Sequence, residues 1–281
     1  FKSDVRLEGN FFVMGDKRIP ITQHRDPREI PWGEWNTDII HECTGVFRSK
    51  EKAGLHLQSN GGENRAVIVS APSPDADKTI VYGVNHKNLT SEDKIFSNAS
   101  CTTNCLPPIA HVLNTNWGIE KGFMTTIHSS TNDQVVIDAP HSDLRRARSV
   151  FNSIIPTTTG AAKAVGLVIP ELKGKLDGQA VRVPTMNVSV VELHAVLKSD
   201  VSAEEVNAKI IDASKGYLNG VLGITDEPLV SVDFNGNTHS SIVDTTLTQV
   251  IGGNLVRVQS WYDNETGFSN RMLDICRKML K

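Results

Sequence analysis

Short apolar runs bounded by polar turns follow one another through the first hundred residues. Residues 10–13 and 17–21 flank the turn-forming pair Gly15-Asp16, which predicts a β-hairpin. The segment 50–57 is typical of a short helix. Near-continuous apolar runs separated by helices or loops indicate a sheet that is covered on both faces, the α/β class. The predicted strands of this sheet are residues 38–43, 66–70, 79–85 and 94–97.

Beyond residue 100 the runs are longer, and apolar residues alternate with polar ones. This alternation predicts an antiparallel sheet with one face exposed to solvent or to another subunit. Ser202 and Glu205 form a capping-box pattern that opens an amphipathic helix, and a final helix is predicted at about residues 265–280. The change of pattern near residue 100 indicates a domain junction, where binding sites are often built. The predicted strands are residues 123–128, 180–183, 188–197, 229–234 and 255–261.

The composition excludes several classes of protein. With 29 Lys and Arg against 32 Asp and Glu, the net charge of −3 offers no general attraction to nucleic acid or anionic membrane. No apolar run approaches the roughly 20 residues of a membrane span, and residues 1–4 show no signal-peptide pattern. Four cysteines in 281 residues do not make a disulfide scaffold, so we expect a reducing, cytoplasmic setting. Cys101 and Cys105 lack a second Cys/His pair at ligand spacing, so no metal site is predicted.

The run Ser97-Asn98-Ala99-Ser100-Cys101-Thr102-Thr103-Asn104-Cys105 carries the strongest chemical signal. It places the Cys101 thiol between two hydroxyl side chains, where a strand pattern at residues 94–98 changes to a helical pattern at residues 105–112. Free N–H groups at a helix N-terminus lower the pKa of a thiol, so we expect a thiolate near neutral pH. The same N–H groups can bind an oxyanion or a phosphate. The alternative is an inert buried cysteine, and the flanking hydroxyls together with His128 favour the reactive one.

This run resembles the active-site signature of the phosphorylating glyceraldehyde-3-phosphate dehydrogenase family, and the similarity extends along the whole chain. The resemblance implies an α/β fold with a Rossmann-type nucleotide-binding domain at residues 1–100. It further implies an α+β catalytic domain with a mainly antiparallel sheet at residues 101–264, and a C-terminal helix at residues 265–281 that packs back on the first domain. A homotetramer assembled through the catalytic-domain sheet is also implied. Further matching stretches are residues 42–47, 83–86, 126–134, 143–148, 155–163 and 261–267.

The nucleotide-binding part is incomplete by comparison with this family. No G-x-G-x-x-G motif follows a strand, and the nearest glycine pair, Gly61-Gly62, lacks its spacing. We therefore expect an N-terminally truncated member that lacks the first βαβ unit, which is roughly 30 residues or more. If the truncation is natural, the chain is expected to be an inactive remnant.

The resemblance implies oxidative phosphorylation of an aldehyde, D-glyceraldehyde 3-phosphate, to the acyl phosphate 1,3-bisphosphoglycerate. Cys101 attacks the carbonyl to give a hemithioacetal, a hydride passes to NAD or NADP, and inorganic phosphate releases the resulting thioester. His128 is implied as an imidazolium that stabilises the thiolate and then acts as base and acid. Ala139-Pro140 combines residues of NAD-preferring and dual-cofactor members, which leaves the choice of cofactor open.

Two anion sites and a nicotinamide site are implied by the same resemblance. Arg182 is a charge within an apolar strand, and a buried charge requires a partner such as a phosphate. Asn264 is implied to bind the nicotinamide carboxamide, near Phe268, where the family usually has tyrosine. The implied residues are Thr131, Arg146 and Arg182 for the substrate phosphate, Ser100, Thr102, Thr159 and Gly160 for the incoming phosphate, and Arg25, Thr44, Gly45 and Ser70 for the adenosine side of the cofactor.

Three other functions are consistent with part of the sequence. Erythrose-4-phosphate dehydrogenase has the same Cys/His pair but releases no acyl phosphate. Residues 158–163 argue against it, whereas residues 135–139 and 229–234 favour it. A Cys-His hydrolase explains Cys101 and His128 but neither the anion sites nor Asn264. The third is the non-enzymatic remnant, which predicts no cofactor binding and an exposed sheet edge.

Overall fold

A small antiparallel sheet with tight turns begins the fold. The computed structural model describes residues 4–59 and 66–280 of the chain. Strands β1 (Val5–Glu8), β2 (Phe11–Met14) and β3 (Lys17–Pro20) pair in that order. Gly15 lies between β2 and β3 with φ of +61°, a left-handed conformation that glycine adopts without a steric penalty. The predicted hairpin is confirmed.

The next apolar segments form a parallel sheet. Its strands are β4 (Ile39–Glu42), β5 (Ala66–Val69), β6 (Lys78–Thr79) and β7 (Ile95–Ser97), in the spatial order β4–β5–β7–β6. All four residues of β5 are buried, as expected for a sheet covered on both faces. Helix α1 (Lys50–Ala53) follows β4; Ser49 caps it, and it continues as the 3₁₀ segment Gly54–Gln58.

The strand predicted at residues 79–85 is wrong beyond Thr79. Asn85 Oδ1 accepts a hydrogen bond from Val81 N at 2.8 Å, and Asn85 Nδ2 donates to the Thr79 carbonyl at 2.8 Å. The side chain therefore satisfies backbone groups that a strand would offer to a neighbouring strand, and the segment turns. Ile80 and Val81 are fully buried, so the apolar pattern there reflects burial and not strand pairing.

Helix α2 (Cys101–Trp117) starts soon after β7, earlier than the pattern at residues 105–112 predicts. Ser100 caps it, because Ser100 Oγ accepts a hydrogen bond from Thr103 N at 3.0 Å. Asn104 Nδ2 donates to the carbonyls of Asn98, at 2.8 Å, and Ser100, at 2.9 Å. These bonds fix the turn from strand to helix and with it the position of Cys101.

The rest of the chain builds an eight-stranded sheet. Its strands are β8 (Ile119–His128), β9 (Ile155–Thr158), β10 (Leu176–Arg182), β11 (Ser189–Leu197), β12 (Leu222–Thr225), β13 (Ser241–Asp244), β14 (Gln249–Ile251) and β15 (Leu255–Tyr262). The order is β12–β13–β15–β11–β8–β10–β9, with β14 beside β15. The pairs β8–β10 and β12–β13 are parallel and the others antiparallel, so the predicted, mainly antiparallel sheet is confirmed.

Three helices complete the architecture: α3 (Ala161–Val168), α4 (Ala203–Lys215) and α5 (Thr266–Met279). The capping box of Ser202 and Glu205 at the start of α4 is confirmed, and so is the C-terminal helix. The strand predicted at residues 229–234 is wrong, since Ser231–Phe234 is a 3₁₀ helix. Asp233 accepts a hydrogen bond from Val230 N at 2.9 Å, and Phe234 stacks on Trp261 with ring centroids 5.4 Å apart.

The main core lies between the large sheet and helices α2, α3 and α4. Met124, Val191 and Val258 belong to it and are fully buried. Helix α5 instead contributes Met272 and Ile275 to a second cluster on the parallel sheet. In the described part of the chain, no helix is both long and apolar enough to cross a membrane. The predicted domain boundaries at residues 100 and 264 stay a prediction.

Candidate active site

The thiol of Cys101 and the ring of His128 meet where α2 begins and β8 ends. Cys101 is the first residue of α2, and His128 is the last residue of β8 and is buried. Cys101 Sγ lies 3.4 Å from His128 Nε2. The N–H groups of Cys101 and Thr102 also interact with the sulfur, as expected at a helix N-terminus. The structure therefore brings the two predicted catalytic residues into contact.

Strand register places Arg182 beside His128. The parallel pairing of β10 with β8 matches these two residues, and both are the last residues of their strands. Arg182 Nη1 lies 2.7 Å from His128 Nδ1 and 2.9 Å from the Ser129 carbonyl. His128 Nδ1 lies 2.8 Å from the same carbonyl. Nδ1 can donate to this carbonyl or accept from Arg182, but one tautomer cannot do both.

The electrostatics correct the expected protonation state. Burial raises the pKa of the Cys101 thiol above its usual value, although the neighbouring N–H groups and Arg182 act in the opposite direction. Burial and the Arg182 charge together lower the pKa of His128 to about 4. Both directions favour a thiol and a neutral imidazole over the expected thiolate and imidazolium.

Tyr262, for which no role was predicted from the sequence, joins the helix and the sheet at the site. Its buried hydroxyl lies 2.9 Å from Thr102 Oγ1 and 2.9 Å from Thr126 Oγ1. Its ring meets the His128 ring edge to face, with centroids 5.9 Å apart. The residue directly precedes Asp263-Asn264 in a stretch used for the family resemblance, and this proximity is the signal that could have found it. The Thr102 hydroxyl, implied for the incoming phosphate, is engaged by Tyr262.

The residues implied for the substrate phosphate come together only in part. Arg182 Nη1 reaches Thr131 Oγ1 at 3.5 Å, and Arg182 Nε is buried without a partner in the described part of the chain. Arg146 is instead engaged by Asp133 Oδ2 at 2.6 Å and by Thr157 Oγ1 at 2.7 Å. Thr131 and Arg182 thus form a donor pair close to His128, whereas Arg146 already has an anionic partner.

The residues implied for the incoming phosphate lie at the starts of two helices. Ser100 caps α2, and Thr159 and Gly160 immediately precede α3, where Thr159 Oγ1 accepts a hydrogen bond from Ala161 N at 3.2 Å. Gly160 and Ala99 line one cavity of about 370 Å³. Helix N-termini attract anions through their free N–H groups and dipole. Thr159 lines a different cavity, so the phosphate site formed by these residues stays a prediction.

Asn264 is held in one orientation by two buried serines. Its Oδ1 accepts hydrogen bonds from Ser129 Oγ at 2.8 Å and from Ser189 Oγ at 2.9 Å. The amide nitrogen therefore points away from these hydroxyls and is oriented to donate. A donor fixed in this way fits the carboxamide oxygen of a nicotinamide.

The residues implied for the adenosine side follow the strands of the parallel sheet. Thr44 and Gly45 come directly after β4 and are exposed, and Ser70 follows β5. Ser70 N donates to the Glu42 carbonyl at 3.0 Å. Arg25 lies exposed in the segment after β3. Nucleotides bind outside the carboxyl ends of parallel strands, so Thr44, Gly45 and Ser70 fit such a ligand. Within residues 4–59 and 66–280, no cluster of three His, Cys, Asp or Glu could bind a metal ion.

Comparisons with known proteins point to one family. Residues 100–264 match the family described as Glyceraldehyde 3-phosphate dehydrogenase, C-terminal domain, and residues 1–50 match its NAD binding domain. Glyceraldehyde-3-phosphate dehydrogenases of Zymomonas mobilis and Xanthobacter flavus are each 54% identical over 100% of this chain and 83% of their own length. Glyceraldehyde-3-phosphate dehydrogenase 1 of Bacillus subtilis is 51% identical over 99% of this chain and 83% of its own length. The chain therefore belongs to the glyceraldehyde-3-phosphate dehydrogenase family.

Proposed function

We propose that this chain catalyses the oxidative phosphorylation of D-glyceraldehyde 3-phosphate to 1,3-bisphosphoglycerate, with NAD as the hydride acceptor. The observation that carries the proposal is the 3.4 Å contact of Cys101 Sγ with His128 Nε2, with Arg182 on the other ring nitrogen. A nucleophile, a base and a phosphate-binding cation therefore converge on one point. The relatives of this chain carry the name of this dehydrogenase.

Cys101 is the proposed nucleophile and His128 its base. As Sγ forms a bond with the aldehyde carbon, the S–H bond breaks and the proton passes to His128 Nε2. Cys101 and Thr102 are the first residues of α2, and their backbone N–H groups are the proposed donors to the oxyanion of the hemithioacetal. Because the resting pair is neutral, the proton moves during the attack and not before it.

Arg182 and Thr131 are proposed to bind the phosphate of the substrate, with Arg146 close by. A phosphate offers Arg182 stronger, charge-assisted hydrogen bonds than the neutral imidazole nitrogen does. When Arg182 turns to the phosphate, His128 takes the tautomer in which Nδ1–H donates to the Ser129 carbonyl and Nε2 is the acceptor that faces Cys101. The charge that lowers the pKa of His128 also moves away. Substrate binding thereby prepares His128 to take the thiol proton.

The remaining steps use the cofactor residues and the second anion site. A bound NAD would supply the acceptor for the hydride that leaves the hemithioacetal carbon. We propose that Asn264 binds the carboxamide, and that Arg25, Thr44, Gly45 and Ser70 bind the adenosine side. Inorganic phosphate at Ser100, Thr102, Thr159 and Gly160 then attacks the thioester. The C–S bond breaks and His128 returns its proton to the sulfur.

The function is tested by following NAD reduction in the full-length protein with two aldehydes, with and without inorganic phosphate. Turnover of D-glyceraldehyde 3-phosphate that requires phosphate is the expected result. Without phosphate, reaction stops after one thioester per site. Phosphate-independent turnover of erythrose 4-phosphate in preference to the three-carbon substrate contradicts the proposal.

We also propose a homotetramer in the cytoplasm and a division into parts at residues 1–100, 101–264 and 265–281. The outer face of the large sheet supports assembly, because Phe123 and Ile127 of β8 are 48% and 38% exposed there. Light scattering coupled to size-exclusion chromatography is expected to give four times the chain mass. A monomer at micromolar concentration contradicts the assembly.

A further inference from the structure

A buried carboxylate lies at the end of β4, behind the loop proposed to bind the adenosine side of the cofactor. Glu42 is the last residue of β4 and is only 2% exposed. Its Oε1 accepts a hydrogen bond from Thr44 N at 2.7 Å and another from the Thr44 hydroxyl. Its Oε2 accepts from His56 Nε2 at 2.8 Å. One side chain therefore joins the loop after β4 to the 3₁₀ segment after α1.

The charge states of this network follow from its surroundings. Burial raises the pKa of Glu42, but the hydrogen bonds from His56 and Thr44 outweigh it and lower the pKa below its usual value. Glu42 is therefore a carboxylate. His56 is buried between the rings of Trp32 and Phe47, at centroid distances of 5.9 and 6.2 Å. Its Nδ1 is buried and has no hydrogen-bond partner among the described residues.

The hydroxyl of Thr44 can accept one further hydrogen bond but cannot donate one. It donates its hydrogen to Glu42 and accepts a hydrogen bond from Val46 N at 3.1 Å. One lone pair remains on Oγ1, so this oxygen can accept from a ligand but cannot donate to one. Thr44 is exposed, at the edge of the sheet where ligands of parallel sheets bind.

We propose that Glu42 is a positioning residue for NAD: with His56 behind it, Glu42 fixes Thr44 so that its hydroxyl accepts from a hydrogen-bond donor of the cofactor, such as a ribose hydroxyl. This inference rests on the proposed function, since it assumes that the loop binds NAD. A buried charged network contributes little net stability but sets one geometry, which suits a role in orientation. Glu42 touches no reacting atom and acts through Thr44.

The same chain offers a matched control on the opposite edge of the sheet. Asp93 is a buried carboxylate that accepts from Thr90 N at 2.7 Å, from Thr90 Oγ1 at 3.0 Å and from Lys78 Nζ at 2.8 Å. It precedes β7, whereas Glu42 ends β4, and the two strands run parallel. The Asp93 network therefore resembles the Glu42 network in its hydrogen bonds but lies away from the carboxyl ends of the strands.

The test compares Glu42→Gln with Asp93→Asn in the full-length protein, measuring NAD affinity by calorimetry, KM and kcat separately, and the thermal midpoint. We expect Glu42→Gln to raise the Kd and KM for NAD by about tenfold or more, the effect of losing charged hydrogen bonds, with kcat within about threefold. Both variants are expected to lower the thermal midpoint by similar amounts, because each loses charged hydrogen bonds to a buried carboxylate. Asp93→Asn is expected to change the Kd for NAD by less than about twofold. Equal NAD affinity in both variants and wild type overturns the proposal, because a merely structural carboxylate lowers the midpoint alone.

A second pair of variants covers the case in which Glu42→Gln does not fold. Thr44→Ser keeps the hydroxyl and is expected to bind NAD as the wild type does, whereas Thr44→Val is expected to raise the Kd about tenfold. Unchanged affinity in Thr44→Val overturns the proposal. If the wild-type protein binds NAD but does not oxidise the aldehyde, the proposed function fails, and the calorimetric comparison of the variants still tests the role of Glu42. If the wild-type protein binds no NAD, the proposed function and the role of Glu42 are both overturned.

Discussion

The two sheets present polar groups in different ways. At the large sheet, side chains from distant parts of the chain contact one another: Cys101 meets His128, Arg182 lies beside the same ring, and Asn264 is held by Ser129 and Ser189. At the parallel sheet, Glu42 and Asn85 instead accept hydrogen bonds from the backbone of nearby residues, Thr44 and Val81. In the proposed function, the first arrangement places the reacting groups and the second shapes the backbone around the cofactor. Substitutions in the two regions should therefore affect different quantities.

The largest expected effect is loss of the nucleophile at the large sheet. Cys101→Ser is expected to lower kcat by about 10⁴-fold or more, because a hydroxyl with a neutral base is a far weaker nucleophile than a thiol. Cys43→Ser, at an exposed cysteine after β4, is the matched control and is expected to change kcat less than about twofold. The measurement is NAD reduction with D-glyceraldehyde 3-phosphate. A comparable loss in both variants would remove the distinction between the regions.

Arg182 is expected to give the next largest effect, and one that depends on the substrate. Arg182→Leu removes charge-assisted hydrogen bonds to a phosphate, so kcat/KM for D-glyceraldehyde 3-phosphate is expected to fall about a hundredfold. D-Glyceraldehyde, which lacks the phosphate, serves as the control substrate and should lose less than about tenfold. Equal losses with both substrates would assign Arg182 to the orientation of His128 alone.

Stability in acid is expected to depend on His128. Its folded-state pKa of about 4 is below its ordinary value of 6.5, so between these values the unfolded chain binds more protons than the folded one. The contribution of His128 to the free energy of unfolding is therefore complete above pH 6.5 and is lost as the pH falls towards 4. From pH 7 to pH 5 the free energy of unfolding should drop by about 2 kcal/mol from His128 alone.

Urea unfolding at the two pH values measures this loss, with His128→Gln as the comparison. The variant keeps a hydrogen-bonding side chain that does not titrate, so its stability should fall by about 2 kcal/mol less over the same interval. An identical fall in wild type and variant would show that His128 is not buried as a neutral base.

The pairing of Cys101 with His128 could be predicted from the sequence because a reactive thiol and its histidine lie in stretches with recognisable neighbours. The contact of Arg182 with His128 could not, since it depends on the register of β10 against β8 across 54 residues of chain. The direction in which the pKa of the Cys101 thiol shifts could not be predicted from the sequence either. A helix N-terminus lowers the pKa of a thiol, but burial raises it here, and only the structure shows that burial prevails.

The two wrong strand predictions have a common physical origin. Residues 79–85 and 229–234 contain apolar side chains at strand-like spacing, and Ile80, Val81 and Phe234 are indeed buried. In both segments an Asn or Asp side chain bonds to nearby backbone N–H groups and replaces the ladder that a strand requires. Burial could be predicted from the pattern, but the competing side-chain bonds could not.

The smallest expected effect on catalysis concerns Asn85, which fixes a loop of the parallel sheet without touching the proposed catalytic groups. Asn85→Ala removes its bonds to Val81 N and the Thr79 carbonyl and leaves buried backbone groups unsatisfied, so the free energy of unfolding should fall by about 1–3 kcal/mol. Because Asn85 bonds to Val81 and Thr79 and to none of the proposed reacting side chains, kcat at saturating NAD and aldehyde should stay within about twofold. Urea unfolding and steady-state kinetics on the same preparation measure both quantities. A large loss of kcat with little loss of stability would show that this loop, and not only the large sheet, positions the reacting groups.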